Sequence, residues 1–277
     1  MPEPVSPTIL ITGATSGIGY ATARNLACDG ATVIVHGPTI ADAERAARDL
    51  IAAGADPGRV QPVAADFRQL ADVAAMARDV STGFDHLDVL VNNAAIAGPG
   101  SRTVTAEGNE LTFQVNYLAP YLLTRLLAGR LRAAGGRVVA VSSILHRTAN
   151  INWSDPQRRR HYTPLAAYAQ SKLALTMFAR ALALTQDGVT AVSVHPGIVR
   201  SGLLPVYSRV GAPVDEAAAV LARLASPGVE LANGEYYEGS VPATPAALVN
   251  NDSAVVRLWK LTYQLLGQDR FLASRAA

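Results

Sequence analysis

Six short β-branched, apolar runs alternate along this chain with longer Ala- and Leu-rich segments, and no other feature restricts its fold as much. The runs are TILIT at 8–12, ATVIVH at 31–36, RVQPVAAD at 59–66, LDVLVNN at 87–93, GRVVAVSS at 136–143 and VTAVSVHP at 189–196. Most are continuously apolar rather than alternating, which suits strands covered on both faces, as in parallel sheets. The segments between them, about 17–29, 40–53, 69–81, 108–133 and 166–186, space their apolar residues three or four apart, as Leu118, Leu122, Leu126 and Leu127 do. Parallel neighbours need crossover connections, and right-handed ones are strongly preferred. The pattern therefore predicts an α/β fold, a doubly wound parallel sheet with helices on both faces.

There is no internal repeat, low-complexity tract or linker-like shift in composition, so one domain over 1–277 is expected. Regularity falters after His195. GIVRSGLLPVYSRVGAP reads as a loop or short helical excursion, GEYYEG at 234–239 as a last short strand, and DSAVVRLWKLTYQLLG at 252–267 as a capped terminal helix. Loop segments at about 144–166 and 200–234 are expected to roof a pocket.

The stretch TILITGATSGIG runs from the first strand straight into the first helix. Gly13, Gly17 and Gly19 fall in the turn, where glycine permits positive φ and lets an anion approach the backbone closely. The helix N-terminus beyond it offers unpaired N–H groups to a pyrophosphate. The fold expected is thus a Rossmann-type dinucleotide-binding domain. A carboxylate at the end of the second strand would mark NAD, but that corner reads HGPT with no carboxylate before Asp42. The reading leans to NADP, with NAD as the alternative.

Tyr168 and Lys172, in YAQSK, lie one helical turn apart on one face. A free phenol has a pKa of about 10, and a nearby ammonium favours its ionised form and so eases proton exchange.

The remaining composition excludes several classes. A net charge of +2 gives no electrostatic case for nucleic acid, and Arg158–Arg160 read as a solvated loop. Cys28 is the only cysteine, so no intrachain disulfide or cysteine metal cluster forms, which fits a reducing compartment. The five histidines show no metal-ligand spacing, and no Gly-x-Ser-x-Gly elbow follows a strand. MPEPVSPT lacks the regions of a secretory signal and no apolar run is long enough to span a bilayer, so a soluble cytoplasmic protein is expected.

TGATSGIG at 12–19, NNAA at 92–95, Asn116 in FQVNYLAPYLL, VSS at 141–143, YAQSK and HPGIVRS at 195–201 occur in an order and spacing that resemble the short-chain dehydrogenase/reductase family over nearly the whole chain. The SSILH to AYAQSKLAL interval, VHPGIVRS and RLW look most like its retinol-dehydrogenase-like branch. That branch is often membrane-anchored, whereas no anchoring segment is seen here, so the chemistry is carried over and the retinoid is not. Two positions depart from the family: Ala95 stands where glycine is usual, and Pro38 where this branch often has arginine.

The resemblance implies a nicotinamide-dependent oxidoreductase acting on a carbonyl or secondary alcohol. Tyr168 would be the general acid or base, Lys172 would tune it and hold the nicotinamide ribose, Ser143 would bond the substrate oxygen, and Asn116 would hold a water leading to Lys172. Ser142 competes with Ser143, and the 25-residue interval to Tyr168 favours Ser143. Cofactor contacts are expected from Gly13, Thr15, Ser16, Gly17, Ile18, Gly19, Thr39, Asp66, Phe67, Asn93 and Ala94. Tyr168, Lys172, Pro196, Gly197, Val199 and Ser201 complete the set, Ser201 replacing a usual threonine. Asp66 would accept from the adenine amine or else cap a turn. Asn92 would brace the sheet edge near the cofactor ribose, and His195 reads as a structural strand-end residue. Trp153, Tyr162, Leu203, Leu204 and Tyr207 in the loops suggest an apolar, medium-sized substrate. A homo-oligomer is implied by resemblance alone. A non-redox cyclase, dehydratase or epimerase on the same scaffold remains open, as does a nucleotide-sensing protein without turnover.

Overall fold

The computed structural model describes residues 6–185, 188–199 and 211–267. In chain order the regular elements are β1 (Thr8–Ile11), α1 (Gly17–Cys28), β2 (Thr32–Gly37), α2 (Ile40–Ala52), β3 (Val60–Ala64), α3 (Leu70–Gly83), β4 (Val89–Asn92) and α4 (Leu111–Phe113). A π-helical turn, Gln114–Leu118, joins α4 to α5 (Ala119–Ala133). There follow β5 (Arg137–Val141), α6 (Pro164–Leu184), β6 (Thr190–His195), α7 (Val214–Ala225), β7 (Tyr236–Glu238), β8 (Val241–Pro242) and α8 (Asp252–Leu266).

The strands form one sheet in the order β3-β2-β1-β4-β5-β6-β7-β8, parallel throughout except for the β7–β8 hairpin. Strand order reverses between β1 and β4, and this is where ligands bind in such sheets. The predicted doubly wound α/β architecture is observed. Its cause is visible residue by residue: Leu10, Ile34, Leu90 and Val138 pack against α3, α5 and α6, while their neighbours Ile9, Ile11, Val33, Val35, Val89 and Val139 pack against α1, α2 and α7. Both faces are dry, which is why the strands read as unbroken apolar runs.

α6 is apolar almost all round because it lies between the sheet and α8. Thr163 caps it, accepting from the Ala166 N–H at 3.2 Å, and Pro164 fills its first position. α8 covers α5 and α6 through Trp259, which meets Tyr121 at 5.2 Å and carries Arg125 over its ring. Trp153, expected in the substrate roof, instead packs on this core beneath the Arg257 guanidinium.

The segment 200–234, expected as a loop, contains α7, a sheet-covering helix packed on α1 and joined to it by Arg24–Asp215 at 2.7 Å. Its signal was present in the small-residue run AAAVLARLA, preceded by Pro213 and two acids that suit a helix N-terminus. Residues 200–210, with Ser201, Leu203, Leu204 and Tyr207, lie outside the described residues. Arg159 and Arg160 are solvent-exposed as expected. Arg158 is half-buried with a left-handed backbone at φ +46°, and the exposed His161 shares that backbone region at φ +54°.

Candidate active site

The glycine turn lies at the carboxyl end of β1, between the tips of β2 and β4. Gly13 and Gly17 take positive φ, +64° and +56°. Gly19 is required by space: a Cβ there would stand 2.3 Å from the Gly13 carbonyl oxygen and 2.4 Å from Nδ2 of Asn93. Ser16 caps α1 by position but makes no side-chain capping bond, so the first-turn N–H groups are not committed to it.

The turn is pinned from both sides. The Thr12 hydroxyl accepts from the N–H groups of Asn93 (2.9 Å) and Ala94 (3.0 Å), and the Asn93 amide donates to the carbonyls of Thr12 (2.8 Å) and Gly13 (3.1 Å). On the other side the Gly13 N–H donates to Nδ1 of His36 at 3.0 Å, which leaves Nε2–H to donate to the Ala65 carbonyl at 3.0 Å. Burial lowers the His36 pKa to about 4, so the ring is neutral and both bonds hold. His36 also stacks on Phe67 at 4.6 Å. Neither Thr12 nor His36 was singled out from sequence, although a histidine ending an apolar strand is a signal worth weighing.

Gly13, Thr15, Ser16, Gly17, Ile18, Gly19, Asp66, Phe67, Asn93 and Ala94 all line one cleft of about 1190 Å³, with His36, Pro38, Arg68 and Ala95. Thr39 is not among these residues; its hydroxyl caps α2, accepting from the Asp42 N–H at 3.2 Å and donating to the Asp42 carboxylate at 2.7 Å. Asp66 does cap its turn, accepting from the Arg68 N–H at 2.9 Å, and the Arg68 guanidinium, 2.7 Å away, is the main cause holding its carboxyl below the usual range. Asn92 sits on an interior strand rather than at the sheet edge, and its amide donates to Thr124 of α5.

A smaller recess opens at the carboxyl ends of β5 and β6. It is lined by Ser142, Ser143, Tyr168, Lys172, His195, Pro196, Gly197 and Val199, and shares Ile18, Asn93 and Ala95 with the cleft. Burial lowers the Lys172 pKa to about 7, and its Nζ donates to the Val141 carbonyl at 2.8 Å. The two serines separate physically: the Ser142 hydroxyl is bonded to Thr176 of α6 at 2.6 Å, whereas Ser143 starts the 3-10 turn Ile144–Thr148. His195 lines the recess and is neutral, its pKa lowered to about 4 mainly by burial.

Asn116 lies in the π turn, a local helix defect of the kind that concentrates at functional sites. Its amide oxygen accepts from the Ile96 N–H (2.8 Å), and its two amide hydrogens go to the Ile96 carbonyl and the Ser171 hydroxyl, each at 3.0 Å. The amide therefore braces the loop after β4 against α6. Among the described residues no cluster could hold a metal ion, and no helix is long and apolar enough to cross a membrane.

The cleft fits a dinucleotide by its own geometry: a glycine turn with positive φ at Gly13 and Gly17 and no room for a side chain at Gly19, beside a helix N-terminus with no side-chain cap. Comparison with known proteins agrees. The family model for short chain dehydrogenase matches residues 7–208. Retinol dehydrogenase 12 of Bos taurus is 35% identical, over 94% of this chain and 86% of its own. The crystal structure of an uncharacterized protein from Mycobacterium paratuberculosis superposes with a TM-score of 0.78 at 32% identity, covering 94% of this chain and 92% of the other. A metagenomic short-chain oxidoreductase in complex with NADP is 27% identical with a TM-score of 0.63, covering 85% of this chain and 97% of the other. With its glycine cradle, its Tyr168–Lys172 helix and these likenesses, the chain belongs to the short-chain dehydrogenase family, in the retinol-dehydrogenase-like branch, and is an oxidoreductase.

Proposed function

We propose that the protein moves hydride between NADP, with NAD second, and a carbonyl or secondary alcohol of a small to medium apolar substrate. The observation that carries this reading is the continuity of the recess holding Ser143, Tyr168 and Lys172 with the dinucleotide cleft. A nicotinamide at that junction would supply the hydride acceptor or donor. Tyr168 gives its proton to the substrate oxygen in reduction and takes it in oxidation. Lys172, poised near neutrality, favours the phenolate when charged and can bond the ribose hydroxyls. The Ser143 hydroxyl bonds the substrate oxygen as charge develops on it.

The NADP lean is supported at the corner after β2. Asp42 is paired with Arg45 at 2.7 Å and Asp66 with Arg68 at 2.7 Å, so both nearby carboxylates are neutralised by a partner. Pro38 adds no charge. The relative solved with NADP fits the same lean. An apolar substrate is supported by Ile198 and Val199 in the recess wall and by the alcohol in the name of the Bos taurus relative. The recess, about 80 Å³, admits only the reacting end.

The direct test follows nicotinamide absorbance over a panel of apolar ketones, aldehydes and secondary alcohols with wild type and Tyr168→Phe. The variant should lose about 10²- to 10⁴-fold in turnover while binding cofactor normally. Native turnover by the variant would refute the reading. Product formed with no net absorbance change would point to the non-redox alternative. Tighter binding of NADH than NADPH in a fluorescence titration would reverse the cofactor assignment. A cytoplasmic location and a homo-oligomeric state belong to the same reading, and fractionation and light scattering test them.

A further inference from the structure

His146, three residues after Ser143 and outside the catalytic set, is completely buried. Its Nδ1 is 2.7 Å from the Ser143 carbonyl oxygen, and its Nε2 is 3.2 Å from the backbone nitrogen of Ala246, a hundred residues away in sequence. The Ala246 N–H can only donate, so Nε2 carries the lone pair. Nδ1 must then carry the proton that goes to Ser143. One neutral tautomer satisfies both contacts, and burial favours the neutral ring.

The same Ser143 carbonyl accepts from the His146 backbone N–H at 3.0 Å. The imidazole also packs on Tyr236 of β7, with ring centroids 4.6 Å apart. Arg147 strengthens the link: it pairs with Glu238 at 2.8 Å and donates to the Thr244 carbonyl at 2.6 Å. The turn that begins at Ser143 is thus keyed into the segment from Tyr236 to Ala246. An apolar side chain would fill this space without needing partners; a buried imidazole with two bonds fixes a direction instead.

We propose that His146 is a positioning residue that sets the orientation of Ser143 by bonding its carbonyl and anchoring it to Ala246. This rests on the reading of Ser143 as the donor to the substrate oxygen. Turnover and cofactor affinity are measured in wild type, Ser143→Ala, His146→Phe, His146→Asn, His146→Gln and the Ser143→Ala/His146→Phe double variant. Asparagine can present an N–H near the position of Nδ1, and glutamine an acceptor near the position of Nε2.

His146→Phe is expected to lower kcat by about 10- to 100-fold with little change in cofactor affinity. His146→Asn should recover most of the loss, and His146→Gln less. In the Ser143→Ala background, His146→Phe should cost less than about twofold, because the group it positions is already gone. Native kcat in His146→Phe, an equal loss in both backgrounds, or Gln matching Asn would overturn the proposal. Should the Phe variant not fold, the Asn and Gln pair still decides. If Ser143→Ala alone turns over normally, the reading of Ser143 fails; if Ser143→Ala is impaired and His146→Phe is not, only the role of His146 fails.

Discussion

Lys172 follows Tyr168 by one helical turn, with its ammonium nitrogen 5.7 Å from the centre of the phenol ring and 2.8 Å from the Val141 carbonyl oxygen. The phenol and amine noted in the sequence thus meet inside the protein, at the end of β5.

Lys172 bears on stability. Its pKa falls from 10.5 in the open chain to about 7 in the fold, so between these values the unfolded chain binds the extra proton. The native state is penalised most below pH 7 and relieved as pH rises towards 10.5, by at most about 5 kcal/mol. Urea unfolding without cofactor should show wild type gaining on Lys172→Met across that window, while the lost bond to Val141 costs the variant about 1 kcal/mol at every pH. A pH-independent difference would contradict the shift.

Ser142 and Ser143 should differ in turnover. Ser143→Ala is expected to cut turnover by about 10²- to 10³-fold, and to cost about 0.5–1 kcal/mol of stability because its hydroxyl caps the following turn by accepting from the Leu145 N–H. Ser142→Ala removes a buried bond to Thr176 and should cost roughly 1 kcal/mol of stability while leaving turnover near native. Loss of turnover in Ser142→Ala alone would transfer the assignment to Ser142.

His36 predicts acid sensitivity. Its pKa is about 4 in the fold against 6.5 unfolded, so its contribution is complete above pH 6.5 and is lost as pH falls towards 4. The loss amounts to about 3 kcal/mol, and His36→Asn should flatten that part of the acid limb. His195, lowered likewise, leaves a residual slope. The imidazole signals of His36 in NMR should not titrate above about pH 5; a midpoint near 6.5 would mean the ring is not locked between Gly13 and Ala65.

Gly19→Ala forces a methyl against the Gly13 carbonyl and the Asn93 amide. Overpacking of this kind costs about 1–3 kcal/mol, and here it also shifts the cradle, so dinucleotide affinity should drop at least 10-fold. Calorimetric titration measures it, and unchanged affinity would show that the cradle does not hold the pyrophosphate.

The strands and most helices were legible from sequence because each depends on local periodicity, and the glycine cradle because positive φ and missing side chains leave a direct mark. Tyr168 and Lys172 were legible for a similar reason, since four residues on a helix is one turn. The choice of Ser143 over Ser142 was made by resemblance; the Thr176 hydroxyl opposite Ser142 and the turn that Ser143 caps are visible only in the packing. Asp66 could cap a turn or face adenine; the structure shows the capping bond and the ion pair to Arg68 at the cleft wall.

By itself, then, the order of residues determined the layered sheet, the phosphate-binding turn and the pairing of phenol with amine. Only tertiary structure decided that His36 locks the turn, that His146 ties Ser143 to Ala246, that Asn116 braces Ile96 and that Trp153 serves the core. The physical reason is common to all four. A polar or aromatic side chain takes its role from the partner it meets, and here those partners lie 20 to 104 residues away or on another element. Folding brings such partners together, and no local pattern records them.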